Sequence, residues 1–238
     1  MQAVGVVLAA GLGTRVGADG NKAYLPLAGR SMLAWALHTL IQLPEITRTI
    51  LVYRAGELTL ARDTLQVELG SAAVEFVEGG DTRHASETNV LRYLAGDIES
   101  GAVDVVVIHD AARPLAGPDM FVEAVTLARR FGGALPALPI RDLARHDDNG
   151  MCAVSDQSTL VRVQTPQAFR AMDLLRAYRS AERDGFEGTD TSSCIERYTD
   201  IEVQTFTGRA DNLKVTYARD VAVAQHLLLN PDGPAGWR

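Results

Sequence analysis

The chain has 238 residues, of which 47% are hydrophobic, and a formal net charge of -7. This size and composition suffice to bury a core, and we expect one compact domain. The negative charge argues against binding to nucleic acid, which needs a broad basic surface. Because no apolar run approaches the roughly 20 residues that span a bilayer, and the first residues lack the basic region of a signal peptide, we expect a soluble, cytoplasmic protein that binds no membrane.

Short apolar runs alternate with amphipathic stretches along most of the chain. Runs rich in Val, Ile and Leu predict strands at 4–9, 49–53, 74–77, 103–108, 133–138 and 202–206. Apolar side chains at helical spacing predict helices at 32–42, 85–93, 120–130 and 173–183. This alternation implies βαβ crossovers and an α/β fold with a doubly wound, mainly parallel, Rossmann-like sheet. In such sheets ligands bind beyond the carboxyl ends of the strands, so the residues that follow each strand are the candidates.

A polar stretch between Ile140 and Gln164 interrupts the alternation. Its central sequence DDNG predicts a hairpin turn, so we expect an arm of two strands over residues 140–163. Because isolated hairpins are marginal in water, we expect the arm to pack on a second subunit in a homodimer. Residues 1–229, arm included, are predicted to form a single domain, and residues 230–238 a disordered tail.

Lysine is rare in this chain. Of the 23 lysines and arginines, only Lys22 and Lys214 are lysine. A lysine ammonium is a compact point charge, whereas the arginine guanidinium is a planar fork, so a site shaped around one phosphate oxygen does not readily accept the exchange. Either the two lysines persist by chance or both contact phosphate, and we favour phosphate. Cys152 and Cys194 show no metal-ligand spacing and are predicted to be free thiols.

The first predicted strand leads into a glycine-rich loop, AAGLGTRVG, whose small residues let backbone N–H groups approach an anion. A Rossmann loop needs its third glycine one residue earlier, and a Walker A loop needs Gly-Lys-Ser/Thr, so neither pattern matches well. The third interpretation is a nucleotidyltransferase loop, in which backbone amides, Arg15 and Lys22 surround a triphosphate.

The apolar strand at 103–108 delivers Asp110 at its carboxyl end. A carboxylate beside a phosphate-binding loop suits Mg²⁺, which prefers hard oxygen ligands and shares itself with substrate phosphates. The alternative is that Asp110 caps the following helix. His109 points to the opposite face by strand alternation and is predicted to be structural.

Five segments in order resemble a known family: AAGLGTRVG with the following KAYLPL, EGGDTRHAS, HDAARP, VQTPQAF and GRADNLKVT. Together they resemble the 2-C-methyl-D-erythritol 4-phosphate cytidylyltransferases. The resemblance implies the nucleotide-diphospho-sugar transferase type of fold with a projecting β-arm. It also implies Mg²⁺-dependent transfer of CMP from CTP to that small polyol phosphate, with release of pyrophosphate, in non-mevalonate isoprenoid precursor biosynthesis.

The resemblance also implies roles for individual residues. Catalysis is assigned to Arg15, Lys22 and Lys214. Nucleotide binding is assigned to Ala9, Ala10, Gly11, Gly13, Gly80, Asp81, Ser86, Asp110 and Ala111. Acceptor binding is assigned to Arg113, Leu143, Gln157, Thr165, Thr189 and Lys214, and metal binding to Asp110 with Asp211 as a second carboxylate. A plain turn at Gly79 to Asp81, and turn or capping roles for Thr165 and Thr189, stay open as alternatives.

Some positions depart from the family pattern. Leu143 replaces a usual Thr and Gln157 a usual Arg, so a bidentate, permanently charged donor is lost from the acceptor side. Asn21 stands where Pro is frequent, and Thr191 where an acidic residue is usual. These departures leave two alternatives: a cytidylyltransferase for another polyol phosphate such as ribitol 5-phosphate, or a nucleotide-binding paralogue without catalysis.

Overall fold

A computed structural model describes residues 2–11, 13, 20–140, 144–147, 150–153 and 160–230, and for 144–147 and 150–153 the backbone alone. Three predicted site residues, Arg15, Leu143 and Gln157, lie outside the described residues. The same holds for residues 231–238 of the predicted tail.

The predicted strands and helices are present among the described residues, with shifted ends. The strands are β1 Gln2–Leu8, β2 Pro26–Leu27, β3 Arg30–Ser31, β4 Ile46–Tyr53, β5 Val74–Glu78, β6 Val103–Asp110, β7 Gly133–Pro139, β8 Ala144–Asp147, β9 Gly150–Ala153, β10 Val161–Val163, β11 Gln167–Arg170 and β12 Gln204–Thr207. The helices are α1 Met32–Ile41, α2 Leu58–Leu69, α3 Arg83–Glu99, α4 Pro118–Phe131, α5 Ala171–Asp184, α6 Thr191–Tyr198 and α7 Ala218–Leu229, with a short 3-10 helix at Lys22–Tyr24. The sequence analysis missed α2, α6 and α7.

Eight strands form the central sheet, in the order β10-β7-β11-β6-β1-β4-β5, with β12 beside β7. Strands β6, β1, β4 and β5 are mutually parallel, and β12 is parallel to β7. Strand β11 runs antiparallel between β6 and β7. The predicted α/β class with a mainly parallel sheet is therefore confirmed.

The two strands predicted for the arm pair with each other. Strands β8 and β9 are antiparallel, and Asp147 pairs with Gly150 across the turn that the sequence DDNG predicts. They form a sheet of their own, separate from the central one. Strands β8 and β9 of the arm thus pair with each other, whereas β10, also within residues 140–163, pairs with β7 of the central sheet.

Helices cover both faces of the central sheet. Along β1, Ala3 and Val7 pack on one face with α1, α2 and α4, whereas Val4 and Val6 pack on the other with α3, α5 and α6. A third cluster that includes Leu27 fixes α7. Because both faces are covered, a ligand reaches the sheet at the strand ends. None of the described helices combines the length and the apolar character needed to cross a bilayer.

Candidate active site

A cavity of about 270 Å³ opens at the carboxyl ends of β1, β5 and β6. Most of its lining consists of residues that the sequence analysis singled out: Ala9, Ala10, Gly11, Gly13, Lys22, Gly80, Asp81, Ser86, Asp110, Ala111 and Lys214. Leu8, Asn21, Ala23, Thr82, Arg83 and Ala112 complete it. Segments that are far apart along the chain thus meet where an open parallel sheet binds its ligands.

Small residues let the loops after β1 and β5 touch. A Cβ atom added at Gly79 would lie 2.4 Å from the Cβ of Ala10 and 2.9 Å from the Oγ of Ser86. The Ser86 hydroxyl accepts a hydrogen bond from the Gly80 N–H at 3.1 Å and donates one to the Thr82 carbonyl at 2.9 Å. The glycine turn at residues 79–81 therefore forms one wall of the cavity, next to the first turns of α3.

Lys22 is held at the cavity by its neighbours. The Asn21 side chain accepts from the Ala23 N–H at 3.0 Å and donates to the Ala9 carbonyl at 2.7 Å, which ties the 3-10 helix to the end of β1. The Lys22 ammonium donates to the Val215 carbonyl at 2.9 Å. At Gly13, where φ is 61°, an added Cβ would lie 2.3 Å from the Cδ of Lys22, so the lysine stem needs the glycine.

Asp110, at the end of β6, is surrounded by three cations. Its carboxylate accepts a hydrogen bond from Arg83 at Oδ1, lies 2.7 Å from the Lys214 ammonium at Oδ2, and lies 4.0 Å from the Arg113 Nε. Burial favours a raised pKa for Asp110, but the charges of Arg83, Lys214 and Arg113 outweigh it and hold the pKa well below its usual range. One carboxylate among three cations leaves this end of the cavity positive, which suits phosphate groups.

Arg83 is a site residue that the sequence analysis missed. It is the first residue of α3, whose N-cap Thr82 accepts from the Ala85 N–H. Its Nη1 donates to Asp110, and its Nε lies 3.1 Å from a carboxylate oxygen of Glu87. No local pattern marks Arg83 among so many arginines, since its partner lies 27 residues further along the chain. Its place within the segment EGGDTRHAS was the only available indication.

The buried side chains of His109 and Thr165 are hydrogen-bonded to each other behind Asp110, and we call this pair the bracket. The Thr165 hydroxyl accepts from the Asp110 N–H at 3.1 Å and lies 3.0 Å from His109 Nδ1, and His109 Nε2 lies 3.0 Å from the Arg113 carbonyl. Since a carbonyl only accepts, Nε2 carries the proton and Nδ1 accepts from Thr165. Burial lowers the pKa of His109 to about 4, so the ring is neutral. It packs edge-on against Phe121, on the sheet face opposite to Arg83, as strand alternation predicts.

The remaining predicted residues among those described are not part of the cavity lining. Arg113 is buried and donates from Nη1 to the Asn212 carbonyl at 2.8 Å. Thr189 is exposed in the bend before α6. Asp211 lies outside the lining, and its two oxygens accept from Arg209 at 3.0 and 2.7 Å.

The metal site predicted at Asp110 and Asp211 stays a prediction, since the two carboxylates have different cationic partners in this structure. The Asp211 carboxylate forms an ion pair with Arg209, two residues away. Within the described ranges, no group of three or more His, Cys, Asp or Glu side chains is arranged to hold a metal ion. Of the two carboxylates in the cavity lining, Asp81 and Asp110, only Asp110 lies among the cations, and a single carboxylate there fits a Mg²⁺ ion bound mainly through substrate phosphates.

Comparison with known proteins identifies the family. The family model described as IspD, 2-C-methyl-D-erythritol 4-phosphate cytidylyltransferase, matches residues 3–230. The chain belongs to this family. It is therefore a nucleotidyltransferase, and the resemblance noted in the sequence is confirmed.

Relatives and solved structures agree with the family model. A 2-C-methyl-D-erythritol 4-phosphate cytidylyltransferase of Cereibacter sphaeroides is 38% identical over 229 residues, which cover 96% of this chain and 97% of the relative. The crystal structure of the enzyme of that name from Thermus thermophilus has a TM-score of 0.74 at 27% identity, covering 95% of this chain and 98% of that one. The 4-diphosphocytidyl-2C-methyl-D-erythritol synthase of Anaerococcus prevotii, at 24% identity, has a TM-score of 0.81 over 96% of both chains and shows the shared fold.

A second, larger cavity of about 570 Å³ lies at the other end of β6, around Val103 and Asp104. Asp104 pairs with Arg129 at 2.8 Å, and Arg170 donates to backbone carbonyls at the end of α4. Glu99, also in this lining, pairs with Arg179, so the described groups leave no excess of cations there. In this cytidylyltransferase fold the smaller cavity is therefore the candidate active site.

Proposed function

We propose that this family member transfers the CMP group of CTP to 2-C-methyl-D-erythritol 4-phosphate and releases pyrophosphate, a step of non-mevalonate isoprenoid precursor biosynthesis. The observation that carries the proposal is the position of Asp110. It lies at the carboxyl end of β6 with Arg83, Lys214 and Arg113 around it, in a cavity lined by the nucleotide-binding segments of the family. Because CTP is made and used inside the cell, we assign the reaction to the cytoplasm.

The cavity supports binding of a cytidine nucleotide at its uncharged side. Gly79 packs against Ala10 and Ser86, and Gly80 lines the cavity, so the absence of side chains at both glycines leaves room for a base and a ribose to approach the backbone closely. At the charged side, we propose that Lys22 and Arg15 contact the triphosphate and that Lys214 contacts the acceptor phosphate.

The donor set also suits the proposed Mg²⁺ ion. Asp110 would hold it, and the ion would supply positive charge to the phosphates of CTP. In the structure Oδ2 of Asp110 is paired with Lys214, so this lysine has to release Asp110 when the ion binds. Lys214 is 44% exposed and therefore has room to move towards a substrate phosphate.

The proposed chemistry needs no general base. The acceptor phosphate is already ionised near pH 7, and one of its oxygens attacks the α-phosphorus of CTP in line. The new P–O bond forms as the bond to the bridging oxygen breaks, and pyrophosphate leaves with that electron pair. The buried, neutral His109 takes no part in proton transfer. Lys22 and Arg15 offset the charge that grows on the leaving group, so positioning and charge neutralisation supply the acceleration.

The acceptor is proposed to bind beside Arg113 and Thr165, with Thr189, Leu143 and Gln157 completing its site. Edge strand β10, at the end of the arm, exposes Val161 and Val163, and Leu160 lies just before it, each with 38–40% of its surface exposed. Apolar side chains on an edge strand are usually covered. We therefore propose that β10 and the arm pack on a second copy in a homodimer, and light scattering that shows a fully active monomer would contradict this.

The test is pyrophosphate release with CTP, Mg²⁺ and 2-C-methyl-D-erythritol 4-phosphate, run beside ribitol 5-phosphate. We expect turnover with the first substrate and at least tenfold less with the second, a difference of about 1.4 kcal/mol in activation free energy. The rate of pyrophosphate release by a Gln157→Arg variant shows how much activity is lost because position 157 carries a neutral amide instead of a guanidinium. Turnover with ribitol 5-phosphate alone would overturn the proposed acceptor, and CTP binding without turnover would point to a non-catalytic paralogue.

A further inference from the structure

A buried glutamate behind the cavity has no role in the chemistry described so far. Glu87 lies in the second turn of α3 and is 1% exposed. A carboxylate is rarely buried to this extent unless cations and hydrogen-bond donors surround it. Its partners therefore indicate what it does.

Both oxygens of Glu87 are engaged. At Oε1, the Thr191 hydroxyl donates at 2.7 Å and the Arg83 Nε lies 3.1 Å away. At Oε2, the Tyr178 hydroxyl donates a hydrogen bond. Thr191 begins α6 and Tyr178 lies in α5, so one carboxylate joins three helices that pack on this face of the sheet. The carboxylate thus links the packing of the helices to the cavity through Arg83.

Arg83 is held between two carboxylates. Its Nη1 contacts Asp110, and its Nε faces Glu87. Without Glu87, the whole charge of Arg83 would act on Asp110 and compete with any cation that Asp110 has to bind. With Glu87 present, the positive charge of Arg83 is shared between two carboxylates, so Asp110 keeps more of its negative charge for Lys214 or a metal ion.

We propose that Glu87 is a positioning residue of this active site, which holds the Arg83 guanidinium so that it orients Asp110 without neutralising it. The inference rests on the proposed Mg²⁺-dependent binding of CTP. Thr191 stands where the family pattern that the sequence resembles has an acidic residue, and here its hydroxyl donates to Glu87, so the carboxylate of this contact comes from α3. Exchanging the two side chains should then restore the arrangement.

The experiment compares the wild type with Glu87→Gln, Glu87→Thr, Thr191→Glu and the exchange variant Glu87→Thr/Thr191→Glu. Calorimetry measures CTP binding over a range of Mg²⁺ concentrations, and thermal unfolding is recorded for each protein. Glu182→Gln is the matched control, since Glu182 forms an exposed pair with Arg92 and touches no cavity residue.

We expect Glu87→Gln to raise the Mg²⁺ concentration for half-maximal CTP binding at least fivefold, with CTP affinity at saturating Mg²⁺ within twofold of the wild type. The control should match the wild type. Glu87→Thr should lower the unfolding temperature, and the exchange variant should recover most of both losses. An unchanged Mg²⁺ requirement in a folded Glu87→Gln protein, or an exchange variant no better than Glu87→Thr, would overturn the inference.

Failure of the proposed function has a different signature. A wild type that binds no CTP at any Mg²⁺ concentration contradicts the proposed function itself. The unfolding temperatures then still decide whether Glu87 and Thr191 form the exchangeable contact: recovery in the exchange variant supports it, and no recovery excludes it.

Discussion

The two ends of strand β6 each carry an aspartate, an arginine partner and a cavity. At the amino end, Asp104 pairs with Arg129, which is 38% exposed, beside a cavity of about 570 Å³. At the carboxyl end, Asp110 is 9% exposed and meets Arg83, Lys214 and Arg113 beside a cavity of about 270 Å³. Burial and an excess of cations distinguish the carboxyl end of β6. The candidate site is not at the end with the larger cavity.

The difference has a physical cause. An exposed ion pair is screened by water and contributes about 0–1 kcal/mol to stability. In a buried site with unequal charges, the excess is weakly screened and attracts ligands of the opposite sign. The larger cavity at the amino end has no such excess of positive charge. The size of a cavity therefore does not by itself indicate where a charged ligand binds.

Replacing the two aspartates tests the comparison most strongly. Asp110→Asn removes the charge that balances three cations and the proposed metal ligand, and we expect kcat/KM to fall about a thousandfold. Asp104→Asn loses a surface pair only and should retain wild-type activity. Pyrophosphate release measures both, with circular dichroism to confirm folding. Equal losses of kcat/KM in the two variants would contradict the assignment of the chemistry to the carboxyl end of β6.

A charge-conserving exchange is expected to have the next largest effect. Lys22→Arg keeps the charge but replaces a compact ammonium, packed over Gly13, by a larger planar group, so we expect about a tenfold loss in kcat/KM. Arg179→Lys is the matched control, because Arg179 pairs with Glu99 on the surface at 52% exposure. Activity that tolerates both changes equally would remove the special role of lysine at the site.

The bracket behind Asp110 is tested by Thr165→Val. This change leaves the Asp110 N–H and His109 Nδ1 without a partner, and it should lower the free energy of unfolding by about 1–3 kcal/mol. Thr165→Ser keeps the hydroxyl and should lose much less. Urea denaturation measures both variants. Equal stability of the valine and serine variants would show that the hydroxyl does not brace this end of β6.

The smallest effect is expected at the amino ends of the neighbouring strands. Hydrogen bonding to Arg48 holds the pKa of Glu75 below its ordinary value of 4.5. A carboxyl group whose pKa is lower in the folded than in the unfolded state stabilises the protein at pH values above its unfolded-state pKa. This stabilisation is lost as the pH falls through the folded-state pKa. Glu75→Gln should therefore cost up to about 1 kcal/mol at pH 7 and progressively less below pH 4.5, without effect on activity. A cost that grows on acidification would contradict this assignment.

Much of the fold could be predicted because apolar runs mark buried parallel strands directly. Residues 105–108 of strand β6 are an unbroken apolar run, and the end of this run placed Asp110 at the carboxyl edge of the sheet. Helix α2 was missed because only Ala61 and Leu65 are buried along its length. Helix α6 was missed because its first turn is Thr and Ser, whose burial depends on the hydrogen bonds of Asp190 and Glu87 rather than on a pattern.

The site was predictable where a motif carried it and not where a distant partner decides it. The glycine turns and the two lysines were found from local sequence. Arg83 and Glu87 were not, since their roles come from contacts with β6, α5 and α6. The role of Asp211 stays a prediction, since a carboxylate in a recognised segment gave no indication of its pairing with Arg209.

Hydrogen exchange with mass spectrometry, with and without CTP and Mg²⁺, tests the central claim most directly. The account predicts slower exchange in residues 9–13, 79–86 and 109–113, at the carboxyl ends of β1, β5 and β6, and no change in residues 98–105. Protection of residues 98–105, with none at the carboxyl ends, would place the nucleotide at the larger cavity and contradict the account.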